Sequence, residues 1–221
     1  MRRDRRPGVL FDVDGTLADT TYLHTLAWSR ALTDAGEWAP MNAIHRLVGM
    51  GGDQLVPRLL GHDCPAAVHR RADRYAEVAA EARPFPRAAE LLGAVHDRGA
   101  AVVLATSAPG DELERLLELM GAGPAIDAVT TADDVERSKP APDVFVAALA
   151  AGSVDRARAL AVGDSVWDVR AARAAGLGCI GVETGGFSGH ELSEAGAIQV
   201  YRDVGELLDQ LLTGPVSGLL D

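Results

Sequence analysis

Two aspartates that follow an apolar segment near the start of the chain could support metal or phosphate chemistry. Asp12 and Asp14 come directly after residues 9–11 and precede Gly15. Side chains alternate in extended backbone, so both carboxylates point to one side and need a cation beside them. Mg²⁺ is commonly held by one or two carboxylates while it shares the oxygens of a phosphate. The pair alone is a weak signal, because Asp-x-Asp-Gly also ends ordinary strands.

Other polar residues follow the later apolar segments. Thr106 follows residues 101–105, and Asp164 comes soon after residues 159–162. Lys139 is the one lysine among the 21 basic residues, which suits a point charge placed against a phosphate. The carboxyl ends of parallel strands share one edge of a sheet, so these groups are predicted to meet in one cleft. The predicted set is Asp12, Asp14, Thr106, Lys139, Asp164 and Asp168.

These residue types could carry out phosphoryl transfer. A carboxylate oxygen of Asp12 could attack phosphorus and form an aspartyl-phosphate. Asp14, with its pKa predicted to be raised by neighbouring negative charge, could protonate the leaving oxygen and then deprotonate a water. Thr106 and Lys139 would stabilise the transferred group.

The same set predicts a magnesium site. Asp12 and Asp164 would bind Mg²⁺ through their carboxylates, and Asp14 through its backbone carbonyl. Asp168, four residues after Asp164 on a predicted helix, would orient a bound water or Lys139.

The rest of the sequence predicts the elements that hold these residues. Strands are predicted at 9–11, 101–105, 125–129, 159–162, 179–182 and 198–201. Helices are predicted between them at 87–98, 111–120, 142–151 and 165–175, and a last helix follows at 204–212. This alternation indicates an α/β fold with a doubly wound parallel sheet. Four helices without an intervening strand are predicted from Thr20 or Thr21 to 34, at 41–48, at 53–60 and at 65–82. They indicate an inserted helical bundle. We expect a core domain of residues 1–17 and 87–221 and a helical cap domain of residues 18–86.

Composition restricts the possible partners. The chain has 221 residues and a formal charge of −11, which argues against nucleic acid or an anionic membrane as a partner. No apolar run reaches the ~18 residues of a membrane-spanning helix. Arg2 and Arg3 begin a basic segment that is too short for a secretory signal and lacks the long apolar h-region of one, so we expect no secretory signal. Cys64 and Cys179 do not form a metal or redox spacing, which favours a reducing cytoplasm. A monomer is favoured, and a dimer is left open.

Four segments of the chain resemble motifs I to IV of the haloacid dehalogenase superfamily, in the same order. They are Asp12-Val13-Asp14-Gly15-Thr16-Leu17, Thr106 after its strand, Lys139 in Ser-Lys-Pro-Ala-Pro-Asp, and Gly163-Asp164-Ser165-Val166-Trp167-Asp168. The resemblance implies that Asp12 is the nucleophile and Asp14 the acid and base. It also implies that Thr106 and Lys139 bind the phosphoryl group and that Asp164 holds Mg²⁺. The helical insert is similar to the type 1 cap of the family, which closes over substrate.

Residues present in or absent from these segments restrict the possible branches of the family. The namesake dehalogenases lack the second acid of motif I, so Asp14 argues against dehalogenation. Phosphonoacetaldehyde hydrolases use a cap lysine, and residues 18–86 contain none. The segments around His24 and Trp28 resemble β-phosphoglucomutases. However, residues 48–53 have glycine where the mutases carry a phosphate-binding arginine, and no lysine follows Ser107 closely.

The sequence therefore predicts a Mg²⁺-dependent phosphatase that acts on a small phosphorylated metabolite, such as a sugar phosphate or a phosphoglycolate-like compound. The alternatives are a β-phosphoglucomutase-like phosphotransferase and a catalytically silent phosphometabolite-binding protein. Substrate contacts are predicted for Thr106, Ser107, Lys139, His24, Gly49 and Gly51. A packing role for His24 and a flexible connection at the glycines remain open.

Overall fold

The protein contains a six-stranded parallel sheet with helices on both faces, in a computed structural model that describes residues 5–108 and 110–220. Arg2 and Arg3 of the basic segment lie outside the described residues. In chain order the strands are β1 (Arg6–Phe11), β2 (Ala18–Asp19), β3 (Arg83–Pro84), β4 (Ala101–Ala105), β5 (Ala128–Thr130), β6 (Val154–Gly163), β7 (Gly178–Val182) and β8 (Gln199–Tyr201). The sheet order β5-β4-β1-β6-β7-β8 places β1 in the interior, as predicted. The α/β fold with a doubly wound parallel sheet is thus confirmed.

The helices fall into two groups along the chain. In chain order they are α1 (Thr21–Asp34), α2 (Met41–His45), α3 (Gly52–Leu60), α4 (Pro65–Ala76), α5 (Ala88–His96), α6 (Gly110–Met120), α7 (Asp143–Ala151), α8 (Val166–Ala174), α9 (Gly189–Ala195), α10 (Val204–Asp209) and α11 (Ser217–Leu220). Helices α1 to α4 lie between β2 and β3, and the later helices accompany the large sheet. Among the described residues, no helix is both long enough and apolar enough to span a bilayer.

Apolar side chains of β1 pack on both faces of the sheet. Val9 and Phe11 belong to one buried cluster, which includes α5 and α10 side chains, while Leu10 belongs to a second, which includes α7 and α8 side chains. Successive side chains of a strand point to opposite faces, so an uninterrupted apolar strand is buried on both sides. This burial holds β1 firmly and fixes the position of the residues that follow it.

The helical insert joins the core through a short antiparallel pair. Ala18 pairs with Pro84 and Asp19 with Arg83 in the ladder between β2 and β3. The insert has an apolar cluster of its own, which includes Trp28, Ile44 and Leu55. Two-residue strands carry no periodic signal, which explains why the sequence did not predict this pair.

Several element bounds differ from the predicted ones. Strand β6 begins at Val154, although the sequence predicted a start at 159. The prediction missed the first residues because 156–158 are exposed and provide no apolar run. Helix α4 ends at Ala76 rather than 82, and a 3₁₀ turn, Ala79–Glu81, follows. Strand β5 occupies Ala128–Thr130 rather than 125–129. Helix α9 was not predicted, although Ser188 and Glu191 form a capping box at its start.

Candidate active site

Lys139 and the first aspartate of the pair lie together at the carboxyl edge of the sheet. Asp12 directly follows β1, and its backbone N–H donates to the carbonyl of Val162 in β6 at 2.9 Å. The ammonium of Lys139 contacts Asp12 Oδ1 and lies 2.7 Å from Asp168 Oδ1. Lys139 has no exposed surface. A buried ammonium requires such charged partners, because burial of an isolated charge is very costly.

Three buried carboxylates form a cluster at this edge. One oxygen from each of Asp12, Asp164 and Asp168 lies within 4.8 Å of the others. Thr16 joins two of them, because its hydroxyl is 2.8 Å from Asp164 Oδ1 and 3.3 Å from Asp12 Oδ2. A threonine hydroxyl has one proton, so it donates to one of these oxygens at a time. Lys139 is the one basic side chain in direct contact with the cluster among the described residues, which leaves an excess of negative charge.

The pKa values of the cluster reflect this imbalance. Burial raises the pKa of Asp12 to about 7, with Lys139 acting in the opposite direction and the Asp168 and Asp14 charges adding to the rise. Burial and the same neighbouring carboxylates raise the pKa of Asp164 well above its ordinary value. Burial alone would lower the pKa of Lys139, but Asp12 and Asp168 raise it instead. The carboxylates would therefore be stabilised by a further positive charge.

A divalent cation fits the donor set. All three groups offer hard carboxylate oxygens, which Mg²⁺ prefers. Both oxygens of Asp168 are already occupied, Oδ1 by Lys139 and Oδ2 by the Ser165 N–H at 3.1 Å. Thr16 lies closer to Asp164 Oδ1 than to Asp12 Oδ2, which leaves Asp12 Oδ2 available for a cation. Asp12 and Asp164 are thus the better candidates for direct ligands, and Asp168 for a group that holds Lys139 in place. The ligand role predicted for the Asp14 backbone carbonyl stays a prediction.

Two glycines allow the backbone to approach Asp164 closely. Gly15 has a φ of +81°, and a Cβ on it would lie 2.5 Å from Asp164 Oδ2. A Cβ on Gly185 would lie 1.7 Å from the same oxygen. Any side chain at Gly185 would displace Asp164, so glycine is required there.

Asp14 is hydrogen-bonded to side chains of the helical insert. Its Oδ1 accepts hydrogen bonds from Thr20 Oγ1 at 2.7 Å and from His24 Nε2 at 2.8 Å. Thr106 Oγ1 donates more weakly to Oδ2 at 3.4 Å. Burial alone would raise the pKa of Asp14, but His24, Thr20 and the charge of Arg71 together hold it below its ordinary value. The prediction of a raised pKa for Asp14 was therefore wrong, because these partners come from the insert.

His24 is held in one orientation by its neighbours. Arg71 Nη2 lies 2.6 Å from His24 Nδ1, and the imidazole stacks on Tyr75 at a centroid distance of 4.3 Å. A guanidinium can only donate hydrogen bonds, so Nδ1 accepts and the ring proton is on Nε2, facing Asp14. His24 therefore contacts the predicted acid and base directly, rather than only packing near Trp28. Arg71 and Thr20 are partners that the sequence did not assign to the site. Thr20 directly precedes α1, and its hydroxyl donates to Asp14 rather than capping the helix.

A cavity of about 380 Å³ opens beside these residues. Its walls come from both the core and the insert. The lining includes Asp12, Asp14, His24, Gly49, Gly51, Asp53, Arg71, Thr106, Ser107 and Ser138. Five of the six residues predicted to contact substrate are in this lining, and Lys139 lies fully buried behind Asp12. The arrangement can therefore present a nucleophilic carboxylate and a second acid to one small molecule.

Comparison with known proteins identifies the family to which this sequence and structure are similar. A family model described as haloacid dehalogenase-like hydrolase matches residues 7–176. The chain is 33% identical to Protein CbbY of Cereibacter sphaeroides, with 95% of this chain and 98% of that protein covered. It is 34% identical to a phosphoglycolate phosphatase of Rhodospirillum rubrum, with 92% and 90% covered. Among solved structures, a hydrolase from Pseudomonas syringae matches with a TM-score of 0.88 at 32% identity, covering 93% of this chain and 98% of that one.

Proposed function

The chain belongs to the haloacid dehalogenase-like hydrolase family, and we propose that it is a Mg²⁺-dependent phosphatase that hydrolyses a small phosphorylated metabolite through an aspartyl-phosphate on Asp12. Membership and the phosphatase relatives make it a phosphomonoester hydrolase. The observation that carries the finer proposal is the arrangement around Asp12. Its carboxylate contacts a buried ammonium, lies within 4.8 Å of two other buried carboxylates, and lines the cavity.

The helical insert serves as a cap in this proposal. Residues 18–86 form the cap domain, and residues 1–17 and 87–221 form the core domain. The support is that side chains from both parts line one cavity and that His24 of the insert contacts Asp14 of the core. Exclusion of bulk water from this cavity would strengthen the electrostatic interactions within it.

The reaction begins at Asp12. Its carboxylate attacks phosphorus, the bond to the leaving oxygen breaks, and an aspartyl-phosphate forms. Lys139 holds Asp12 in place, and Thr106 offers a hydroxyl at the edge of the cavity. Mg²⁺, held by Asp12, Asp164 and the backbone carbonyl of Asp14, would supply positive charge that neutralises the phosphate oxygens.

Asp14 moves the protons. It gives a proton to the leaving oxygen in the first step and takes one from the attacking water in the second. Its low pKa in the free protein suits the second step, because the carboxylate form accepts the proton. The first step requires a protonated Asp14, and the negative charge of a bound phosphate would act to raise its pKa. His24 and Thr20 keep the carboxyl oriented during both steps.

Hydrolysis is favoured over the mutase alternative by the lining of the cavity. A mutase must grip a second phosphate, yet residues 48–52 of the insert provide no basic side chain. Arg71, a basic side chain that does line the cavity, is hydrogen-bonded to His24 Nδ1 at 2.6 Å. The relatives include several proteins named phosphoglycolate phosphatase, and CbbY has been crystallised with phosphate. We therefore place the substrate among small phosphomonoesters. We also retain a monomer in the cytoplasm as part of the proposal, which sedimentation and cell fractionation would test.

The central experiment compares wild type with Asp12→Asn on p-nitrophenyl phosphate and a panel of phosphorylated metabolites. Loss of a nucleophile should lower kcat by at least about a thousandfold. Asp19→Asn, an exposed aspartate in β2, is the matched control and should retain activity. EDTA should abolish turnover and Mg²⁺ should restore it.

Three results would contradict the proposal. Turnover by Asp12→Asn at the wild-type rate would exclude the aspartyl-phosphate. Formation of an isomer from β-glucose 1-phosphate instead of free phosphate would favour the mutase. Tight binding of phosphometabolites by wild type without any hydrolysis in Mg²⁺ would favour the silent binding protein.

A further inference from the structure

Two serines of the core lie next to predicted phosphoryl-binding residues, and both contact one segment of the insert. Ser107 follows Thr106, and Ser138 precedes Lys139. Residues 48–53, here called the cap loop, lead from the end of α2 into the first turn of α3. Ser107 Oγ donates to the carbonyl of Gly49 over a long contact of 3.5 Å. The cap loop therefore reaches both core loops of the predicted phosphoryl site.

The contacts at Ser138 are the stronger ones. The Gly51 N–H donates to Ser138 Oγ at 3.0 Å. Ser138 Oγ in turn donates to Asp53 Oδ1, and the Ser138 N–H donates to Asp53 Oδ2 at 3.4 Å. The cap loop thus holds both the side chain and the backbone of Ser138. Hydrogen bonds to an ionised carboxylate are roughly twice as strong as those between neutral groups.

The geometry points to Asp53 as a positioning residue, whose carboxylate acts through Ser138 to fix the segment that carries Lys139. The inference rests on the proposed function, since it concerns the phosphoryl-binding site. Lys139 contacts Asp12 and has no exposed surface, so a shift of the backbone at Ser138 would move the ammonium relative to the nucleophile. A misplacement of about 1 Å can cost about a hundredfold in rate.

A consequence follows for the reaction cycle. The bonds from Asp53 and Gly51 cross from the insert to the core, so they form only when the two parts are together. The site around Lys139 is therefore complete only with the cap closed. With the cap open, the segment that carries Lys139 would be held less firmly, and the attack of Asp12 on substrate would be slower. The reaction would then proceed mainly after the cap has closed and water is excluded.

The test is a double-mutant cycle with Asp53→Ala and Ser138→Ala in the full chain with Mg²⁺ and p-nitrophenyl phosphate. Asp53 is exposed, so water competes for its bonds, and each single variant should lose about five- to tenfold in kcat. Both changes remove the bond from Ser138 Oγ to Asp53 Oδ1, so the loss of kcat in the double variant should be smaller than the product of the two single losses. Asp53→Asn keeps one acceptor oxygen and should lie between wild type and Asp53→Ala. Asp63→Ala, an exposed aspartate elsewhere in the insert, should match wild type.

Amide hydrogen exchange provides a readout that does not depend on activity. Ser138→Ala should raise the exchange rate of the Gly51 amide at least about tenfold, and Asp53→Ala should do the same for the Ser138 amide. The positioning role would be overturned if the kcat loss of the double variant equalled the product of the two single losses. It would also be overturned if the Ser138 amide exchanged at the wild-type rate in Asp53→Ala. If wild type proved inactive on every phosphomonoester, the proposed function would fail, and the exchange result would still decide whether Asp53 holds Ser138.

Discussion

Replacing Lys139 by methionine would remove the charge that balances the buried carboxylates. Methionine has about the same length, so the change mainly deletes the ammonium. Lys139 contacts Asp12 and Asp168, whose side chains are 6% and 1% exposed, so little of the interaction is weakened by solvent. Removing one partner of a buried ion pair costs about 3–5 kcal/mol. In a domain of this length, each kcal/mol lowers the melting temperature by about 2–4 °C, which predicts a decrease of roughly 10 °C.

Urea unfolding at pH 7.5 in EDTA would measure this loss. The control is Arg170→Met, which removes an exposed cation near Trp167 on α8 and should change the unfolding free energy by less than about 1 kcal/mol. A change of less than about 1 kcal/mol in Lys139→Met as well would refute the reasoning. It would mean that the carboxylates carry protons in the folded protein and do not need the ammonium.

The pH dependence gives a second check on the same variant. The pKa of Lys139 is raised by folding, so the ammonium keeps its charge below the ordinary lysine pKa of about 10.4, and any change in its effect between pH 5 and pH 8 must come from its carboxylate partners. The pKa of Asp12 is raised to about 7, so its carboxylate takes up a proton as pH falls below that. The difference between wild type and Lys139→Met should therefore narrow between pH 8 and pH 5. A constant difference over this range would contradict the assigned pKa of Asp12.

Three further predictions concern other parts of the molecule. Gly185→Ala should displace Asp164, because the new Cβ would lie 1.7 Å from its Oδ2, and should weaken Mg²⁺ binding at least about tenfold by calorimetry; unchanged affinity would contradict the ligand role. Asp127→Asn should lower the free energy of unfolding by about 1 kcal/mol after allowance for screening by solvent. Burial acts to raise the pKa of Asp127, but the hydrogen bonds from Val102 and Arg6 outweigh it and lower the pKa. That stability is present above the ordinary pKa of about 3.9 and is lost as pH falls through the lowered one, so urea curves of wild type and variant should converge in acid. His24→Phe should raise the pKa of Asp14 toward about 3.9 in carbon NMR, and an unchanged pKa would exclude the hydrogen bond as its cause.

The sequence predicted the fold well where apolar runs mark buried strands. Strand β4 was predicted with its observed bounds, and β1 was correctly predicted to lie inside the sheet. The signal failed where a strand continues into polar, exposed residues, as at the start of β6. It also failed at α9, because seven residues provide only two turns of helical periodicity. The capping box at the start of α9 was the one sequence feature that could have indicated this helix.

For the candidate site, residues at strand ends were predictable and their partners from the insert were not. Topology alone brings Asp12 and Asp164 to one edge, because both follow strands of a parallel sheet. The low pKa of Asp14 depends on His24 and on Arg71, which is 47 positions further along the chain than His24. The Asp53 contact with Ser138 spans 85 positions. Such contacts depend on how the helices of the insert pack against the core, and no local pattern encodes them.

The single lysine has a practical consequence for work with this protein. Every other basic side chain in the chain is arginine or histidine, and Lys139 is entirely enclosed in the native fold. Amine-directed acylating reagents therefore have no lysine to modify until the structure opens. Acylation at this one position, followed by mass spectrometry, would report how often the sheet edge around Asp12 becomes accessible, and added Mg²⁺ should slow it.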